Sequence, residues 1–145
     1  MIPIPDRPWT RHVMIAVAAL LLLSSGAHGV LGWKMLHAAL VDIAAPPDIV
    51  RTVAIGWFLG SAAMVAFGLV VLSAWRRARR GDGSGLGAAA IVAAVYSLFG
   101  LGAYLFSGFN THFLLLFMIP AGLLGWAVRA ALPSGRVGGH MKGSF

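Results

Sequence analysis

Four apolar runs, each about as long as a bilayer is thick when coiled into helix, constrain this chain more than any other feature. They are Val13 to Trp33, Val53 to Trp75, Leu86 to Phe106 and His112 to Leu132. In hydrocarbon a backbone must satisfy its own N–H and C=O groups, so only helices and closed barrels cross it. Barrel strands are about half as long as these runs and alternate in polarity, which these runs do not. The expected fold is all-α: a polytopic membrane four-helix bundle with short loops. At 145 residues there is room for one domain. Its spans are placed at 13–33, 53–75, 86–106 and 112–132, with 133–145 as a flexible cytoplasmic tail.

Charge decides the orientation. Charged residues make up only 10% of the chain, too few to cover a water-soluble surface of this size. Of the 11 Lys and Arg, all but Lys34 and Arg51 fall on one side of the expected topology. These are Arg7 and Arg11, the cluster Arg76, Arg77, Arg79 and Arg80, and Arg129, Arg136 and Lys142. Basic residues favour the cytoplasmic face, so both termini are expected inside. The net charge of +7 therefore reads as topology, and no nucleic-acid partner is expected. Trp9, Trp33, Trp75 and Trp126 sit near span ends, where indole rings favour the headgroup zone; Trp57 fits the same pattern. A competing reading makes Arg7 to Leu23 a secretory signal cleaved at Ser25 to Ala27. The apolar run continues through Val30, Leu31 and Trp33, which is span length rather than signal length.

The first connection, Lys34 to Thr52, is the longest between spans. It lacks Gly and Pro through Ala45, so it either prolongs the first helix or lies along the interface. Pro46-Pro47-Asp48 then starts the next helix. Little hydrophobic force joins helices in lipid, so small residues mark the expected contacts. Gly56 and Gly60 form a GxxxG pair. Ala89, Ala93, Tyr96, Gly100 and Ala103 make a stripe on the third span, and Gly125 follows Pro120 on the fourth.

His28 is the one histidine well inside a span. It shares a helix face with Ser25 and Gly32, with Ser24 one turn away, which suits a polar contact between helices. A functional alternative pairs His28 with His112 as axial ligands of a haem iron. Another gathers His37, Asp42 and Asp48 around a transition metal at the outer surface. No HxxxH, HExxH or CxxCH spacing accompanies them, and cysteine is absent. A proton-coupled exporter needs an intramembrane carboxylate, and no span holds one. No phosphate-gripping loop and no GxSxG elbow occurs, so catalysis is not expected.

At Ser25-Gly26-Ala27-His28 followed by Gly32, the chain resembles small bacterial four-helix membrane proteins of the DoxX-like and similar families of unknown function. Their first span carries a related Gly-x-x-His-x-x-x-Gly pattern. The resemblance implies an integral protein of the bacterial inner membrane and flags His28 alone. The expected role is a noncatalytic accessory or assembly subunit of a membrane complex, with no cofactor. Membrane lipid is the expected surrounding, and other integral subunits or a second copy are the expected partners. The alternatives are the haem or metal redox module, and a carrier for a neutral or lipid-like molecule.

Overall fold

The computed structural model describes residues 8–132, so the tail at 133–145 and Arg7 lie outside the described residues. Those residues form α1 (Pro8–Ala27), a π-helical turn (His28–Gly32), α2 (Trp33–Asp42), α3 (Pro47–Arg79), α4 (Leu86–Phe106) and α5 (Thr111–Ala131). There is no strand among them. Four helical rods are long and apolar enough to cross a membrane, the first being α1, the π turn and α2 in one piece.

Each short connection reverses the chain, and neighbours in sequence pack side by side. Close backbone approaches join α1 to α3, α3 to α4, α4 to α5 and α5 back to α1, whereas the diagonal pairs make none. The result is an up-down-up-down ring of four rods.

The helix ends follow from local chemistry. Pro47 and Asp48 open α3, where a missing N–H costs nothing and a carboxylate meets the positive helix end. Three helices then end in the same way. Asp82 and Gly81 donate to Arg77 and Ala78 carbonyls after α3, and Phe109 and Gly108 donate to Tyr104 and Leu105 carbonyls after α4. Gly81 and Gly108 take left-handed φ of 75° and 70°, as this ending requires. Phe109 packs on Tyr104 with ring centroids 5.3 Å apart, the hydrophobic contact that accompanies such an ending.

After α2 the same pattern, Ala45 to Leu40 and Ala44 to Val41, rests on an alanine at φ 52°. A Cβ in that region costs roughly 1–2 kcal/mol. Ala44→Gly is accordingly expected to stabilise the α2–α3 connection by about 1 kcal/mol, measured by thermal unfolding in detergent. A drop in melting temperature would contradict it.

The turn between α3 and α4 holds Asp82 against Ser84. The Ser84 N–H, then its hydroxyl, keep the Asp82 carboxyl below its usual range. Arg77 donates to the same Ser84 hydroxyl at 2.9 Å.

The core occupies the arginine-rich half of the bundle. Met14, Val17, Ala18 and Leu21 of α1 meet Val71 and Ala74 of α3 there. Ala89, Val92 and Ala93 of α4 and Ala121, Leu124 and Ala127 of α5 complete it. Trp9 stacks on Trp126 with centroids 4.0 Å apart and sets α1 against α5 at this end.

At 1.5 Å per residue, the 34-residue first rod and the 33-residue α3 reach about 50 Å, whereas α4 and α5, at 21 residues each, reach about 30 Å. Because the rods are matched at the arginine-rich end, the surplus stands beyond the α4–α5 turn. It consists of α2 and the start of α3. No residue of α2 is buried, and Met35, Val41 and Ile43 are exposed there.

Candidate functional site

Past the packed half, the α1–α3 pair and the α4–α5 pair part, leaving a cavity of about 430 Å³. All four rods line it. Leu20, Leu21, Ser24 and His28 come from α1 and the π turn, and Gly60, Ala63, Met64 and Phe67 from α3. Val95, Tyr96 and Phe99 of α4 and Leu116, Phe117 and Pro120 of α5 line the other side, where Phe99 and Leu116 are exposed and the cavity is partly open. No Asp, Glu, Lys or Arg lines it. Pro120 has no N–H to give the Leu116 carbonyl one turn back, so the helix wall is one hydrogen bond short beside the cavity.

The α1–α3 wall is tied by serines and one indole. Ser25 donates to the Ser61 carbonyl at 2.8 Å, and Ser61 donates to the Trp57 carbonyl at 3.3 Å. Trp57 Nε1 donates to the His28 carbonyl at 2.9 Å. That carbonyl also receives the Trp33 N–H five residues on, which is the π-type bond of the turn. The indole lies flat on the His28 ring, with centroids 4.0 Å apart and planes 13° off parallel. A Cβ on Gly32 would sit 2.7 Å from the Trp57 ring, so close approach there needs glycine. His28 thus ties α1 to α3 through its carbonyl and ring face, and no ring nitrogen takes part.

Trp57→Phe keeps the aromatic contact and removes the donor. It is expected to cost about 1 kcal/mol, the net worth of one such bond, in thermal or denaturant unfolding. An unchanged midpoint would show that the π turn stands without it.

The cavity wall keeps polar atoms without partners. Tyr96 Oη is the only fully buried side-chain oxygen or nitrogen without a hydrogen-bond partner among the described residues. Leaving such a group unpaired costs about 1–3 kcal/mol. Phe67 and Phe117 flank the phenol, each ring centroid 5.9 Å from it.

The other residues singled out in the sequence lie apart. His112 is exposed at the start of α5, where its N–H and its Nδ1 both meet the Asn110 side chain at 3.0 and 3.1 Å. Asn110 is the N-cap of α5, its side-chain oxygen accepting the His112 N–H. His37 is exposed beside Trp33, with ring centroids 5.4 Å apart. Asp48 faces Arg51 at 3.5 Å as an exposed pair, and Asp42 is exposed at the end of α2. Among the described residues, no three His, Asp or Glu side chains gather into a metal-holding group.

Of the glycines expected at contacts, Gly100 presses on Phe117, where a Cβ would come within 2.8 Å of the Phe117 Cβ. Gly125 faces Ala93 at 3.9 Å on the same basis, and Gly60 faces His28 Nε2 at 3.7 Å from across the cavity wall. Gly56 meets nothing within 4 Å. Gly68, which carries no motif, packs against Leu22, where a Cβ would be 2.8 Å away.

Comparison of the chain with protein-family models, with curated proteins and with solved structures returned no match.

Proposed function

We propose that this chain is a small integral membrane protein that holds a neutral, lipid-like molecule between its helices. Its setting in this reading is a bacterial inner membrane, with both termini on the cytoplasmic side. The cavity of about 430 Å³ carries the reading. Ligand sites of this kind are concave, mostly apolar and furnished with a few polar groups, and they form between the helices of bundles. The wall offers no charge to hold an ion and no gathered nucleophile, acid and base to drive a reaction, so binding or carriage is the activity it supports. The arginine cluster at the α3–α4 turn supports the orientation, because basic residues resist translocation.

A second observation favours a noncatalytic subunit role. Only 11% of the apolar stretch of α3 is buried within the chain, so lipid or a neighbouring membrane subunit covers the rest.

Extraction of the protein from its native membrane into mild detergent, followed by mass spectrometry of everything retained, tests both readings. A neutral apolar molecule retained in stoichiometric amount supports the binding role. Stoichiometric protein partners with no retained small molecule would replace it with the subunit role. A haem module built on His28 and His112 would instead show a Soret band in the purified protein.

A further inference from the structure

We infer that the molecule held in the cavity is a neutral amphiphile whose uncharged carbonyl or hydroxyl oxygen pairs with the Tyr96 hydroxyl, making Tyr96 the residue that sets specificity. The inference rests on the binding role above and names the chemistry of the ligand.

Three observations converge on it. Tyr96 is only 7% exposed, lines the cavity, and has a hydroxyl without a partner. A phenol in that position is an O–H donor awaiting an acceptor, and a Phe would fill the same space without the cost. Second, no Asp, Glu, Lys or Arg shares the cavity wall, and its one imidazole, His28, lies stacked on Trp57. A phosphate or carboxylate headgroup seated there would be a buried charge without a counter-charge. The oxygen that meets Tyr96 is therefore uncharged.

Third, the other polar side chains on the wall, Ser24 and His28, come from the first rod. Leu21 belongs to the packed core and also lines the cavity, and His28 lies seven residues further along the same helix. That separation is about 10 Å. Most of the remaining wall is apolar, with Leu20, Ala63, Met64, Phe99 and Leu116, a lining for an alkyl or prenyl body.

The Tyr96 hydroxyl is fully buried, and the Phe67 and Phe117 rings lie beside the phenol ring, each centroid 5.9 Å from it. An acceptor meets it when one of these rings, both of which line the cavity, turns aside. Such a site discriminates strongly, because an analogue lacking the oxygen leaves the buried hydroxyl unpaired.

The test uses the full chain in nanodiscs of zwitterionic lipid, with an environment-sensitive apolar fluorophore displaced by hexadecan-2-one, hexadecane or hexadecanoate. On the wild type the ketone is expected to displace about tenfold more effectively than the alkane, the effect of one hydrogen bond to a buried donor. In Tyr96→Phe that ratio is expected to fall to about one, with the melting temperature unchanged or raised. Equal displacement by ketone and alkane on the wild type, or a ratio that survives in Tyr96→Phe, overturns the role of Tyr96 and leaves the cavity's binding role intact. Hexadecanoate outcompeting the ketone overturns the neutral class. Displacement by none of the three overturns the underlying binding role itself.

Discussion

Gly100→Val is expected to destabilise the bundle by about 2–3 kcal/mol, the upper part of the range for overpacked interiors. A Cβ at Gly100 would lie 2.8 Å from the Phe117 Cβ and 3.7 Å from the Met118 backbone nitrogen. Those neighbours are fixed to the α5 backbone, so a rotamer change cannot relieve the clash and the α4–α5 pair must separate. These two helices make the most extensive close backbone approach in the ring, and its loss is expected to reach Tyr96 and Phe117 on the cavity wall. Gly56→Ala is the matched control. Its Cβ would meet nothing, and alanine is the better helix former by roughly 0.8–1.0 kcal/mol. Equilibrium unfolding in detergent micelles should therefore move the two variants in opposite directions. A valine at 100 that leaves the midpoint in place would mean that α4 and α5 do not approach as closely as described.

The contrast between these glycines shows how much of the molecule was legible beforehand. Helix number and approximate extent follow from composition, because each apolar run is long enough to satisfy its own backbone and is flanked by basic, polar, proline or glycine residues. Close approach is a different matter. Gly56 and Gly60 carry a recognisable spacing, yet which face of α3 meets α1 is settled by the whole ring. The ring brings Gly68 against Leu22 and leaves Gly56 open.

The α2 extension is half legible, since no breaker separates it from the first span. Its end is not, because Ala44 adopts a left-handed conformation that sequence alone assigns to glycine. The π turn at His28–Gly32 has no sequence marker either. Its first carbonyl, that of His28, receives the Trp57 N–H from α3, a contact between residues 29 apart in sequence.

His28 was conspicuous as a polar group among apolar ones, and the structure does place it on the cavity wall. Trp57 reads in sequence as a headgroup anchor, whereas its ring is committed to His28. Tyr96 was visible only as one member of a small-residue stripe. Its hydroxyl is buried and unpaired only in the packed ring, where Phe67 and Phe117, distant in sequence, lie beside the phenol.

Plugging the cavity separates a built site from nonspecific partitioning into lipid. Ala63→Trp and Gly60→Leu both add bulk from α3, the rod whose apolar stretch is least buried in the bundle. A Cβ at Gly60 fits without clash, its closest approach being His28 Nε2 at 3.7 Å, so leucine there fills space beside the imidazole. Ala63 is only partly buried and lines the same wall, so an indole there extends toward the cavity while the core, on the other half of the rods, is untouched. Either substitution is expected to weaken binding of a neutral apolar fluorophore by tenfold or more, about 1.4 kcal/mol or above. The unfolding midpoint should stay near that of the wild type. Fluorophore that simply dissolves in the surrounding lipid would report identical binding to wild type, both plugged variants and protein-free nanodiscs. That result would remove the cavity as the seat of function and leave the exposed flank of α3 as the surface through which this chain acts.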